Sequence, residues 1–282
     1  MTSMQLFVDN LTNTDFCLFH PTRGLVGETW LSSITLEGEL DDQGMICDFG
    51  IVKKAVRQLL DEDLDHRLLV PSNAPQLIHV ASENNNLALQ WQTNNGGTYL
   101  HRSPTQAVTL IDCDEITPES VADWCEHQLR KVLPDTVKSI AVQFNTETIN
   151  GPYYHYSHGL KKHNGKCQRI AHGHRSKIEI YNDGTRSERM ESEWATKFRD
   201  IFIGTREDIS KQEDQSITFA YQSPEGSFSL TLPKDRAYIL ETESTVENIA
   251  RHIAEELKQE HPGVDLRVKA YEGLAKGAFV KV

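Results

Sequence analysis

The chain has 282 residues, a formal net charge of −12, and 38% hydrophobic against 25% charged residues. That is the make-up of a globular protein with room for two domains of about 150 residues each. The acidic balance excludes a general nucleic-acid binder, which needs a basic surface, and no apolar run approaches the roughly 18 residues of a membrane span. Five cysteines, scattered at positions 17, 47, 113, 125 and 167, form no disulfide framework and point to a reducing, cytoplasmic setting. The opening MTSMQLFVDNLTNTDF has no basic start followed by an apolar block, so no secretory signal is expected.

Taken in chain order, the elements repeat. LSSITLEGEL followed by GMICDFGIVKKAVRQLL reads as strand, turn and amphipathic helix, and SKIEIYN followed by MESEWATKFRDIF reads the same way later. LALQWQTNNGGTYL and ITFAYQSPEGSFSL are hairpins with Gly-containing turns, NNGG and SPEG. Each is followed by an apolar strand, VTLID or YILET, and then by a helix opening on TPE at 117–119 or TVE at 245–247. Thr caps a helix N-terminus well, and Glu in the first turn suits its dipole. Each half closes on a strand carrying a Glu: SIAVQFNTET with Glu147, and LRVKAYEG with Glu272. The repeat sets a domain boundary in NGPYYHY and predicts an α+β fold of two domains, 1–152 and 153–282, each with an inserted β-hairpin.

The chemistry concentrates in SHGLKKHNGKCQRIAHGHR, residues 157–175, with four histidines, one cysteine, five basic residues and no acid. RIAHGHRSKIEIY reads as a strand, on which His172 and His174 point to one face. His158, on the preceding strand, supplies a third imidazole. Three neutral imidazoles suit Zn²⁺, with a fourth position left for water or substrate. Cys167 is then either a fourth ligand or, as the surrounding cations favour, a thiolate base or nucleophile. The basic residues Lys161, Lys162, Lys166, Arg169 and Arg175 read either as an anion site or as a solvated loop. His155 and His163 read as surface histidines. In the first half, Asp65 beside His66 in LDEDLDHRLL can act as a proton shuttle, although the pair also fits a plain helix end.

Together these motifs resemble the 6-pyruvoyltetrahydropterin synthase and 6-carboxytetrahydropterin synthase family. The family pattern combines a strand His, C-x(3–5)-H-G-H, G-x-x-x-D-F, L-D-H, a T-x-E helix start and a late V-x-V-x-E strand. Here the pieces are divided. The second half carries His158, Cys167, the HGH of 172–174, Thr245 with Glu247, and Glu272; its segment near FIGTREDISK lacks an Asp-His pair. The first half carries GMICDF, the LDH of 64–66, Glu119 and Glu147, but around LVGETWLSS its HGH is lost and only His20 remains upstream.

The resemblance implies two tandem T-fold domains, each an antiparallel sheet with two helices packed on one face. It implies a zinc ion held by His158, His172 and His174, with Cys167, Asp65 and His66 as catalytic groups. Glu272, Glu147, Glu247, Thr245 and Glu119 are the candidate pterin-binding residues, Glu272 slightly preferred over Glu147. The expected substrate is 7,8-dihydroneopterin triphosphate, and the expected product is 6-carboxy-5,6,7,8-tetrahydropterin, on the queuosine route. The alternatives are a 6-pyruvoyltetrahydropterin synthase, a non-catalytic zinc- and pterin-binding regulatory protein, and a structural zinc site with Cys167 as fourth ligand. The family also implies a homo-oligomeric barrel with sites between neighbouring units. One working zinc site is expected per tandem pair, and the sequence leaves open whether it forms within or between chains.

Overall fold

The computed structural model describes residues 4–282. The first half runs β1 (Gln5–His20), β2 (Gly24–Gly38), α1 (Phe49–Asp63), β3 (Leu68–Pro71), β4 (Leu77–Glu83), β5 (Asn86–Gln92), β6 (Thr98–Pro104), β7 (Val108–Ile111), α2 (Pro118–Leu129) and β8 (Val137–Thr146). The second half runs β9 (Tyr153–His158), β10 (His172–Asn182), β11 (Thr185–Arg186), α3 (Glu188–Lys197), β12 (Ile201–Thr205), β13 (Ile209–Gln212), β14 (Ser216–Ser223), β15 (Gly226–Pro233), β16 (Ala237–Leu240), α4 (Val246–Glu260), β17 (Leu266–Tyr271) and β18 (Gly277–Lys281).

Local chemistry sets the helix limits. Asp48 caps α1, its Oδ1 accepting from the Gly50 amide at 2.6 Å, and the helix buries Val52, Val56 and Leu60 at four-residue spacing, one stripe of an α-helix. Thr117 forms a reciprocal capping box with Ser120 at the start of α2. Thr245 caps α4, which buries Val246, Ile249, Ala250, Ile253, Ala254 and Leu257. Each capped start is worth about 1 kcal/mol; the apolar stripes supply more.

The two halves build equivalent sheets, ordered β7-β3-β1-β2-β8 and β16-β12-β9-β10-β17-β18. The family resemblance implies antiparallel sheets, but these are mixed. The hairpin β1–β2 and its neighbour β8 are antiparallel, but β3 and β7 join β1 in parallel, and β12 and β16 join β9 the same way. The parallel extensions follow from connectivity. β3, reached from β2 through α1, runs opposite to β2 and therefore parallel to β1, and β7, reached from β3 through the three inserted strands, crosses over to lie parallel to β3.

Each insertion also proves longer than a hairpin. The insertions contribute three strands apiece, which merge into one sheet ordered β13-β14-β15-β6-β5-β4. The seam pairs Leu230 with His101. Beneath it lies a core drawn from both halves, with Phe19, Leu25, Trp91 and Tyr99 from the first and Ile170, Phe202, Phe219 and Phe228 from the second. Phe19 stacks on Trp91 with ring centres 5.3 Å apart. The separate domain cores sit under α1 and α2 and under α3 and α4. The shared sheet therefore staples the halves together, so that β1 and β2 are pressed against β9 and β10.

Candidate metal and proton-transfer site

Beside the site the halves meet at two glycines. A Cβ on Gly27 of β2 would lie 2.0 Å from the Tyr156 carbonyl oxygen and 2.5 Å from the His174 amide, and one on Gly173 would lie 2.7 Å from the Gly27 Cα. Only glycine at both positions lets the HGH strand meet the opposite half at backbone distance.

On the second-half side, His158 and His172 are direct partners across β9 and β10, and His174 follows two residues on, on the same face. All three are buried. His158 Nδ1 donates to the Ser244 carbonyl at 2.8 Å, and His172 Nδ1 donates to the Arg169 carbonyl at 2.8 Å. His174 Nδ1 faces Asp15 Oδ1 at 3.2 Å, an ion-pair approach rather than an aligned hydrogen bond. With Nδ1 of His158 and His172 engaged, their Nε2 atoms carry free lone pairs. The Nε2 atoms of His158 and His174 are 3.3 Å apart, His172 Nε2 is buried with no hydrogen-bond partner, and the ligand atoms of the three lie within 4.8 Å of one another. Burial and then the neighbouring imidazoles push His158 and His172 well below the ordinary histidine value. Neutral imidazoles with converging Nε2 atoms and the other nitrogen held by an acceptor fit a divalent ion such as zinc.

The first half supplies the remainder. His66 sits 5.0 Å from His172, centre to centre, and His66, Cys167 and His172 form a second group with ligand atoms within 4.8 Å. Cys167 belongs to that group and not to the cluster of three histidines. Asp65 Oδ2 lies 2.6 Å from His66 Nδ1. His66 has φ +55°, a left-handed conformation uncommon outside glycine. It is fixed there by its amide, which donates to the Asp15 carbonyl at 2.7 Å. Burial opposes a charge on His66, but Asp65 and Cys167 outweigh it and raise the imidazole to about 10.

Glu272 and Glu147 are separated by the fold. Glu272 Oε1 is 3.8 Å from His174 Nε2, whereas the Glu147 carboxylate is held by Lys177 at 2.9 Å. Gly273 makes the Glu272 loop possible: its φ is +68°, and a Cβ there would clash with Asp15 Oδ1 at 2.5 Å. Glu119 and Glu247 occupy exposed first-turn positions of α2 and α4. Thr245 is the α4 cap, and it is the preceding residue, Ser244, that reaches the histidines.

Two expectations are corrected. The basic loop is not free for an anion. Lys161 pairs with Asp208 at 2.5 Å, Lys162 with Glu243 at 2.9 Å and Arg169 with Glu225 at 2.8 Å. Lys166 donates to the Asp61 carbonyl, and Arg175 donates to the Glu147 carbonyl at 2.8 Å. Nor is His155 a surface residue. It contacts the Gly27 carbonyl at 2.9 Å and Glu28 at 3.2 Å across the interface. His163 is exposed, as expected.

Matching registers identify what became of the second copy of the site. Leu18 pairs with Val26 and Asp15 with Thr29 in the first half, as His158 pairs with His172 and His155 with Arg175 in the second. Leu18, Val26 and Glu28 thus stand where the other half has three histidines. The counterpart of His66 is Asp200, with φ +56° and its amide on the His155 carbonyl at 2.9 Å. It lies just upstream of the FIGTREDISK segment in which the sequence comparison sought it. Arg23 grips Asp200 with contacts of 2.5 and 3.1 Å, and a cleft of about 500 Å³ borders this ion pair. Two apolar side chains stand in place of two of the three imidazoles, so this copy lacks the candidate ligand set.

A duplicated α+β unit, its copies meeting at a histidine cluster, defines the class as a tandem T-fold protein. The model of the 6-pyruvoyl tetrahydropterin synthase family matches residues 11–151 and again residues 148–281, and the chain belongs to that family. A Methanocaldococcus jannaschii protein named "Putative 6-carboxy-5,6,7,8-tetrahydropterin synthase" is 31% identical over 112 residues, 39% of this chain and 64% of that protein. A Pyrococcus horikoshii protein of the same name is 28% identical over 119 residues, 42% of this chain and 65% of that one. The chain thus spans less than two thirds of the length of these relatives. Among solved structures, 6-pyruvoyltetrahydropterin synthase from Plasmodium vivax aligns with 51% of this chain and 99% of its own, at 19% identity and a TM-score of 0.40. The Plasmodium falciparum enzyme aligns at 17% identity and a TM-score of 0.39.

Proposed function

We propose that the protein is a zinc-dependent pterin lyase that converts 7,8-dihydroneopterin triphosphate and water into 6-carboxy-5,6,7,8-tetrahydropterin, the phosphates leaving as triphosphate and the other two side-chain carbons as acetaldehyde. The observation that carries this reading is the meeting, within one chain, of Asp65 and His66 from residues 1–152 with Cys167, His158, His172 and His174 from residues 153–282. The names of the archaeal relatives favour the 6-carboxy product over the 6-pyruvoyl one.

The three imidazoles would hold the zinc, and the bound ion would supply Lewis-acid polarisation of the substrate's side-chain oxygens. Cys167, as thiolate, takes a proton from the side chain. His66, kept protonated by Asp65, returns one. Glu272 holds the guanidine-like edge of the pterin by paired, charge-assisted hydrogen bonds, a role for which Glu147, tied to Lys177, is less available. Thr245, Glu247 and Glu119 shape helix starts rather than the pocket. The protein acts in the cytoplasm and assembles further copies into a barrel, but each chain holds its own complete set of groups.

The deciding experiment is incubation of zinc-loaded protein with 7,8-dihydroneopterin triphosphate, with products identified by mass spectrometry. Release of triphosphate with the 6-carboxy product supports the reading, and the 6-pyruvoyl product moves it to the sister activity. Intact substrate at full zinc occupancy refutes it and leaves a pterin-binding protein without turnover.

A further inference from the structure

We infer that Asp15 is a positioning residue for this reaction, orienting His174 across the domain boundary with its side chain and the Asp65–His66 pair with its main chain. The inference rests on the metal-dependent reading above. Asp15 belongs to β1 of the first half and is 2% exposed. Its Oδ1 accepts from the Thr29 hydroxyl at 2.6 Å and faces His174 Nδ1 at 3.2 Å. Its Oδ2 meets Lys276 at 3.1 Å. Its carbonyl accepts the His66 amide at 2.7 Å, and its own amide donates to Asp65 Oδ1 at 3.1 Å. One residue therefore touches both the metal side and the proton-transfer side of the site.

The three imidazoles are not supported alike. His158 and His172 lean on carbonyls of their own half, Ser244 and Arg169. His174 leans on a carboxylate from the other half. A carboxylate that accepts the N–H of a ligating imidazole fixes the tautomer and raises the basicity of the metal-facing nitrogen, so the inference requires the 3.2 Å approach of His174 Nδ1 to Asp15 to close into a hydrogen bond when the ion binds. The counterpart position shows what the contact does without a metal: His155 stands in the place of Asp15 and faces Glu28 at 3.2 Å. A histidine–carboxylate pair thus docks the halves at both copies, and only at Asp15 does the histidine also point at two further imidazoles. Glu28 is accordingly the control for a docking role alone.

The test uses the full chain and four variants: Asp15→Asn, Asp15→Glu, Glu28→Gln and His172→Ala. Zn²⁺ affinity is read by competition with a chromophoric chelator, and ligand geometry by the visible spectrum of the Co²⁺-loaded protein. Asp15→Asn is expected to weaken Zn²⁺ binding about 10- to 100-fold, to shift the Co²⁺ spectrum, and to lower kcat with KM little changed. Glu28→Gln leaves affinity and spectrum as in the parent. Should Asp15→Asn not fold, Asp15→Glu keeps the charge and displaces it by one methylene, and must still shift the spectrum. Parent-like affinity and spectrum in the Asp15 variant that folds, or a loss matched by Glu28→Gln, overturns the inference. His172→Ala separates the two failures. If it retains tight Zn²⁺, the metal reading itself falls; if it loses Zn²⁺ while Asp15→Asn does not, only the role of Asp15 falls.

Discussion

His66 and His172, from opposite halves of the chain, stand ring to ring at 5.0 Å. His66 is tied to Asp65 at 2.6 Å, and Nδ1 of His172 to the Arg169 carbonyl. Neighbouring imidazoles thus have different hydrogen-bond partners, and the proposed reading gives them different duties. His66→Ala is expected to leave Zn²⁺ stoichiometry unchanged while lowering turnover about 10²- to 10⁴-fold, the usual worth of a proton-transfer group. Metal analysis of the purified variant beside its steady-state rate checks this. Loss of zinc along with activity would make His66 a ligand instead.

Because both sets of groups lie in one chain, inactive variants are expected not to rescue each other. Equimolar His66→Ala and His172→Ala, mixed and allowed to exchange subunits, recover no activity beyond the sum of the two. Recovery toward a quarter or half of the parental rate, on the order expected for sites shared between subunits, would move the working site to an interface between chains.

Gly27 is predicted to be irreplaceable even by alanine. A Cβ there meets backbone, the Tyr156 oxygen at 2.0 Å, which cannot turn aside as a side-chain end could. Overpacking of this kind costs about 1–3 kcal/mol, seen as a lowered denaturant midpoint. Since the clash lies beside His174, weaker metal binding should accompany it. A Gly44→Ala change, where nothing lies within 4 Å of the added carbon, lacks the clash, though its φ of +77° retains some strain.

The seam of the shared sheet carries a pH dependence. Burial alone lowers His101 to about 4, and its Nδ1 has no hydrogen-bond partner. In the unfolded chain the imidazole titrates near 6.5, so it binds its proton there first. Stability from this group is therefore intact above pH 6.5 and is lost as pH falls from 6.5 to 4, by up to about 3 kcal/mol. His101→Leu should remove that part of the acid sensitivity, measured as the difference between urea midpoints at pH 7 and pH 5. An unchanged difference would show that His101 keeps a partner in solution.

The parts of the site that local sequence encodes were readable in advance. The spacing of His172 and His174 follows from strand periodicity, Thr117 and Thr245 announce their helices by capping chemistry, and the alignment of the halves brought out the division of Asp65–His66 from the histidines. Asp15 was not readable. It lies in LTNTDFCLFH with no motif around it, and its importance arises only when β1 meets β10. Ser244 and the Arg169 carbonyl were missed for the same reason: a backbone acceptor leaves no mark in side-chain identity. The basic loop misled because the acids that neutralise it, Asp208, Glu225 and Glu243, come from distant segments.

The sequence by itself determined the repeated α+β unit, the candidate site residues and which half kept which motif, because periodicity, capping and residue chemistry act over a few positions. Tertiary structure decided three further matters. It merged the two insertions into one sheet, joined the divided motifs inside a single chain, and closed the second copy of the site with Leu18, Val26 and the Arg23–Asp200 pair. Each depends on which surfaces meet when the halves dock. That is set by the apolar core under the shared sheet and by the bare glycines at positions 27 and 173, where a single added carbon would keep the halves apart.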